Sequence, residues 1–229
     1  MVTSPQPLPE AVLWDMDGTL IASEPYWMDA ERALVEAHGQ TWSAETAFQL
    51  IGQPLLVAGE VIAAHGVPLS PEEIVERLVA DVAASLRREV PWQPGALRLL
   101  AELHEAGVPC ALVTMSYRPL AETILDAVPG GFAAVVCGED VENGKPHPEP
   151  YLEAAARLGV DPSRCVAVED SLPGISSALA SGARTVGVEV MVPLPEREGL
   201  SRVPSLEALT LADLVRIGAG EQLDLLGSR

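Results

Sequence analysis

Two aspartates separated by one residue, Asp15-Met16-Asp17, follow an apolar run and lead into Gly18-Thr19-Leu20. Strand side chains alternate faces, so both carboxylates can point one way while Trp14 and Met16 pack elsewhere. Gly18 lets the chain leave the strand sharply. Two carboxylates this close repel, and a buried pair is costly without a cation. A hard ion such as Mg²⁺ takes oxygen ligands and keeps positions open for phosphate oxygens. A solvated Asp turn after a strand has the same short pattern, so the pair alone leaves both readings open. A second chemical signal is compositional. Of 14 basic residues only Lys145 is a lysine. A compact ammonium and a wide guanidinium fork are not interchangeable, so the position of that lysine matters.

The elements that must carry these residues alternate. AVLWD (11–15), PCALVT (109–114), AAVVCG (133–138), RCVAVED (164–170) and RTVGVEV (184–190) are short apolar runs that predict buried strands. Helical patterns lie between them at 94–107, 118–128, 148–159 and 172–182. This rhythm predicts an α/β fold, a doubly wound, Rossmann-like parallel sheet with helices on both faces. Ligands in such sheets bind beyond the carboxyl ends of the strands. The stretch from Ile21 to about Trp92 breaks the rhythm and predicts only helices, at 24–39, 43–52, 54–66 and 70–90. The last opens with Ser70, Pro71 and Glu73, a capping-box pattern. The expected division is therefore a core of 1–20 and 92–229 with an inserted α-helical cap of 21–91, a lid over the acidic loop. After Val190, 191–199 reads as a loop and 205–218 as a final helix.

Composition narrows the partners. The net charge of -19 repels nucleic acid and anionic membranes. No apolar run approaches the roughly 20 residues of a membrane span. The first ten residues are Pro-rich, carry no positive charge and lack the regions of a secretory signal. They read as a short mobile tail on a cytoplasmic protein. Cys110, Cys137 and Cys165 are odd in number and read as buried free thiols. His38, His65, His104 and His147 form no metal-spaced cluster; the first three read as structural or solvated, and His147 is given no role. A monomer or weak homo-oligomer is expected.

Extended to DxDGTL at the end of an apolar strand, the acidic loop resembles the first motif of the haloacid dehalogenase superfamily. The resemblance implies that Asp15 attacks phosphorus to form an aspartyl-phosphate. It implies that Asp17 acts as general acid and then base. Dehalogenases of the superfamily lack that second aspartate, so Asp17 points to phosphoryl transfer. Thr114, closing CALVT, resembles the second motif, a hydroxyl that bonds the phosphoryl group; Ser116 and the amides of Met115 and Ser116 add donors. Gly144-Lys145-Pro146-His147-Pro148 resembles the third, whose lysine neutralises phosphate and nucleophile. The sole lysine of the chain falls there. Val168-Glu169-Asp170-Ser171 resembles the fourth, whose acids hold the metal. That implies Mg²⁺ held by Asp15, Asp17 and Asp170, with Glu169 as ligand or close support. Pro173 and Gly174 then open a helix whose N-terminus can face an anion. The four motifs come in the family's order across the whole chain, and the insertion matches its helical C1-type cap.

The resemblance leaves three reactions. Water can hydrolyse the aspartyl-phosphate, as in a phosphatase acting on a small, sugar-phosphate-like monoester. A sugar can take the phosphoryl group, as in a β-phosphoglucomutase-like mutase. A relative without turnover can bind a phosphorylated ligand. Ser23-Glu24-Pro25-Tyr26-Trp27 resembles the cap entry of sugar-phosphate phosphatases. The mutases usually carry a basic Gly-x-Ser-Arg-type element where this chain has Leu50-Ile51-Gly52-Gln53-Pro54-Leu55, and no Lys or Arg occurs from Ala33 to Glu76. Arg118 is the one candidate grip on the core side. Phosphatase chemistry on a small phosphorylated metabolite is the expectation.

Overall fold

The structure, a computed structural model, describes residues 6–50 and 54–227. The strands are β1 (Ala11–Trp14), β2 (Cys110–Val113), β3 (Ala134–Val136), β4 (Cys165–Glu169), β5 (Arg184–Val188) and β6 (Leu200–Val203). All pair in parallel, in the order β3-β2-β1-β4-β5-β6. β1 and β2 are buried at every position, as expected of strands covered on both faces. The chain winds outward from β1 to β3 and then returns to lay β4 beside β1. That reversal creates a switch point between the carboxyl ends of β1 and β4.

The register explains how the helices approach. Leu13 lies opposite both Ala111 and Ala167. One face thus presents Ala11, Leu13, Ala111, Val113, Cys165 and Ala167, packed with Tyr151, Ala154 and Ala178. These last three come from α7 (Glu149–Leu158) and α8 (Leu172–Ser181). Small side chains on both partners let the helices lie close to the sheet. On the other face α9 (Leu211–Gly218) reaches Val166, where a Cβ on Gly218 would come within 3.7 Å of its side chain. α5 (Ala96–Glu105) contributes the buried Leu99, Leu100 and Leu103 and packs on β2 and α9. α6 (Arg118–Leu125) follows β2.

Contacts divide the described residues into this core, up to Ile21 and from Trp92, and a helical unit, Ala22–Pro91. The helical unit holds α1 (Glu24–Ala37), α2 (Ala44–Leu50), α3 (Leu55–Ala64) and α4 (Pro71–Arg88). α4 begins with the expected capping box. The Glu73 amide donates to Ser70 Oγ at 3.2 Å, and the Ser70 amide to Glu73 Oε2 at 2.8 Å. Its buried stripe of Ile74, Val75, Leu78, Val79, Val82 and Leu86 packs on α1 and α3. Gly59 allows α3 to cross the start of α4, because a Cβ there would lie 2.5 Å from the Pro71 carbonyl oxygen. Ile51, Gly52 and Gln53 lie outside the described residues.

Three details depart from the sequence reading. β6 is a sixth strand, pairing Thr185 with Leu200 through Val188 with Val203. The last helix starts at Leu211 rather than 205, because Thr210 caps it by accepting from the Asp213 amide. The amino-terminal tail is fixed from Pro9, which is buried, and the Glu10 amide donates to the Arg164 carbonyl at 3.0 Å. The three cysteines are free and buried, as expected. His38 and His65 bond backbone carbonyls within the helical unit. No helix among the described residues is long and apolar enough to cross a membrane.

Candidate active site

β1 delivers Asp15 to the switch point. Its amide donates to the Val168 carbonyl at 3.0 Å, so the backbone is tied to β4 where the side chain emerges. The chain then turns on Gly18, whose φ of 86° suits glycine. A Cβ at Gly18 would also stand 2.2 Å from Asp170 Oδ2, so the glycine is what lets that carboxylate approach. The buried Thr19 donates from Oγ1 to Asp170 Oδ1 at 2.9 Å and fixes it from the same loop.

Lys145 arrives from the segment before α7, with a side chain only 6% exposed. Its Nζ donates to Asp15 Oδ1 at 2.6 Å, Glu169 Oε1 at 2.6 Å and the Val113 carbonyl at 2.9 Å. An ammonium has three hydrogens, and this geometry uses them all. Burial works against the lysine's charge, but Asp15 and Glu169 outweigh it and hold Lys145 above its ordinary value. Burial is also the largest influence on Asp15. Together with the charge of Glu169 it exceeds the opposing pull of Lys145 and pushes the carboxyl up to about 7.

Glu169, fully buried, ends β4 with both oxygens engaged. Oε1 accepts from Lys145 and from the Tyr151 hydroxyl at 2.8 Å. Oε2 accepts from the Asp170 and Ser171 amides and from Ser171 Oγ at 3.0 Å. Gly174 makes room for this, since a Cβ there would lie 1.8 Å from Glu169 Oε1. Ser171 in turn caps α8 by accepting from the Gly174 amide.

Asp17 faces β2. Its Oδ2 accepts from Ser116 Oγ at 2.7 Å and from Thr114 Oγ1 at 3.5 Å. Thr114 Oγ1 also accepts from the Ser116 amide at 3.0 Å, closing a tight turn after the strand. Met115 lies in that turn against Gly138, where a Cβ would come within 2.6 Å of its carbonyl oxygen.

Oxygens of Asp15, Glu169 and Asp170 lie within 4.8 Å of one another, a grouping that suits a hard divalent cation. The side chain of Asp17 falls outside that group and sits with the two hydroxyls. All eight residues singled out in the sequence thus gather at the carboxyl edge of β1, β2 and β4. Arg118 does not offer a free grip: its guanidinium pairs with Asp140 at 2.6 Å, and its amide with Glu139. The sequence pattern assigns no role to Tyr151 or, within the acidic loop, to Thr19. Tyr151 falls in phase with the apolar stripe of α7, and nothing in the pattern shows where its hydroxyl goes.

An α/β sheet with paired carboxylates and an ammonium at its switch point defines a class of enzyme built for phosphoryl chemistry. The model of haloacid dehalogenase-like hydrolases matches residues 9–182, and the chain belongs to that family. It is 32% identical to hexitol phosphatase B of Escherichia coli over 217 residues, covering 90% of this chain and 96% of that protein. It is 31% identical to the bifunctional riboflavin kinase/FMN phosphatase of Arabidopsis thaliana, covering 82% of this chain and half of that longer protein. Among solved structures it is similar to CbbY from Rhodobacter sphaeroides in complex with phosphate, with a TM-score of 0.76 and 29% identity over 87% of this chain and 95% of that one. Family and relatives make this chain a phosphoric monoester hydrolase.

Proposed function

We propose that the chain hydrolyses a small, sugar-phosphate-like monoester in the cytoplasm through a phosphorylated Asp15. The observation that carries this reading is the 2.6 Å bond between Lys145 and a buried Asp15 at the switch point. The ammonium keeps the nucleophile oriented and holds positive charge beside the group that accepts phosphorus. Asp15 attacks phosphorus as the bond to the leaving oxygen breaks, and Asp17 gives that oxygen its proton. Asp17 then takes a proton from water as the water oxygen bonds phosphorus and the Asp15–phosphorus bond breaks. Ser116 and Thr114 hold Asp17 by hydrogen bonds, and the turn of Thr114, Met115 and Ser116 is our candidate for the phosphoryl-binding segment, although the Ser116 amide donates to Thr114 Oγ1 in this structure. The oxygen-only donor set of Asp15, Glu169 and Asp170 fits Mg²⁺, with the nearby Asp17 adding negative charge. When bound, the ion supplies positive charge against the phosphoryl oxygens.

The name of the Escherichia coli relative, hexitol phosphatase B, supports a polyol or sugar phosphate as substrate. Free, buried thiols support a reducing compartment. Water is favoured over a sugar as acceptor because a mutase must also grip a second phosphate. Arg118 is already paired, and no Lys or Arg occurs from Ala33 to Glu76. The helical unit keeps its reading as the cap domain of this family. The test is a phosphate-release screen over sugar, polyol and nucleotide monoesters with Mg²⁺. Release from a sugar or polyol phosphate is expected. Conversion of β-glucose 1-phosphate to the 6-phosphate without free phosphate would turn the assignment to a mutase, and no turnover on any ester would overturn it.

A further inference from the structure

Tyr151 is the second donor to the Glu169 oxygen that holds Lys145. It sits in the first turn of α7, six residues after the lysine, and is wholly buried. Its hydroxyl donates to Glu169 Oε1 at 2.8 Å, the oxygen that Lys145 reaches at 2.6 Å. Its ring also lies under the ammonium, with Nζ 5.2 Å from the centroid. One side chain therefore touches both members of the Lys145–Glu169 pair, and it cannot touch substrate.

This placement answers a problem posed by the buried charges. Lys145 is shared between two carboxylates at equal distance. A fully buried Glu169 with no other donor on Oε1 would compete strongly for the ammonium and draw it from the nucleophile. A second donor on that oxygen stabilises its charge locally and fixes where the ammonium must stand. Packing fixes the donor in turn, because the Tyr151 ring belongs to the cluster formed with Ala11, Leu13 and Ala167. Phenylalanine would fill the same space without the bond.

We propose that Tyr151 is a positioning residue that, through Glu169, keeps Lys145 divided between Glu169 and the nucleophile Asp15. The proposal rests on the reading of Asp15 as nucleophile, but its main readout does not. Lys145 is the only lysine of the chain, so incorporation of ε-¹⁵N-lysine gives one side-chain ammonium resonance that reports on this site alone. Tyr151→Phe is compared with wild type for that resonance, for its hydrogen exchange and for steady-state turnover. Cooperative thermal unfolding checks the fold.

The expected result is a displaced, faster-exchanging ammonium signal. With it, kcat falls about tenfold, the size of one lost hydrogen bond to a charged group, while KM is essentially unchanged. An unchanged resonance overturns the proposal, whatever happens to kcat, because the effect would then not pass through Lys145. A displaced resonance with unchanged kcat also overturns it. If wild type hydrolyses no ester at all, the assigned reaction fails, and the resonance by itself still decides whether Tyr151 holds Lys145. Should Tyr151→Phe not fold, 3-fluorotyrosine in the wild-type chain strengthens the phenol as a donor. The same resonance must then move, and no movement overturns the proposal.

Discussion

In the core, Asp15, Lys145 and Glu169 are buried together, and hydrogen bonds of 2.6 Å join the ammonium to each carboxylate. In the helical unit, Glu31 on α1 is 5% exposed and has Trp42 Nε1 at 3.4 Å, with no cation paired to it among the described residues. Trp42 in turn meets the His65 ring edge-on at 5.1 Å. Burial is the largest influence on both acids, and it pushes each up to about 7. Similar perturbation thus arises from unlike surroundings. In the core it comes with a counter-charge and a converging set of carboxylates at the carboxyl ends of the strands, which are the marks of a site. In the helical unit it comes with a single weak donor, and its consequence is for stability. A shifted acid on its own does not identify chemistry; its partners do.

The comparison breaks most sharply at Lys145. Lys145→Met removes the counter-charge of two buried carboxylates. It should destabilise the protein by about 3–5 kcal/mol, the usual cost of breaking a buried pair. The loss should be larger at pH 8 than at pH 5, where Asp15, pushed up to about 7, takes a proton instead, as urea unfolding at the two pH values would show. Gly18→Ala tests the loop that brings Asp170 in. A left-handed alanine costs about 1–3 kcal/mol, and its Cβ would displace the Asp170 carboxylate. Affinity for Mg²⁺, measured by calorimetry, should fall at least about tenfold.

Glu31→Gln sharpens the other side. The ordinary glutamate value lies below that of buried Glu31, so the native chain holds this proton from pH 4.5 up to about 7 while the unfolded chain releases it. The penalty is absent below that window, grows through it and is complete above it. The substitution should therefore stabilise the protein by about 1–2 kcal/mol at pH 8 and by almost nothing at pH 4.5. Equal stabilisation at both would show that Glu31 is not the titrating group.

The sequence reading went furthest where local pattern and chemistry coincide. Continuous apolar runs ending in Asp15, Thr114 and Glu169 placed three strands and the ends that matter, since a parallel sheet puts such ends on one edge. The lone lysine stands out by composition, independently of its spacing. β6 escaped because Leu-Ser-Arg-Val is four residues without alternation, set after a Pro- and Glu-rich loop, and only pairing with β5 makes it a strand. The start of α9 was legible in principle, because Thr210 and Asp213 stand three apart as a capping box, but the apolar phase of 205–218 runs through it. Tyr151 and Glu31 were hidden for a shared reason. Each lies on a helix, and the direction of a polar atom inside a packed face depends on residues far away in the chain.

The central claim is that Asp15 carries the phosphoryl group. Rapid acid quench of the enzyme during turnover of a hydrolysed sugar or polyol phosphate, followed by peptide mass spectrometry, tests it directly. A phosphorylated peptide with the group on Asp15 is expected, together with loss of turnover by at least about 10⁴-fold in Asp15→Asn. Phosphorylation of another residue, or an Asp15→Asn variant that turns over at the wild-type rate, would contradict the account.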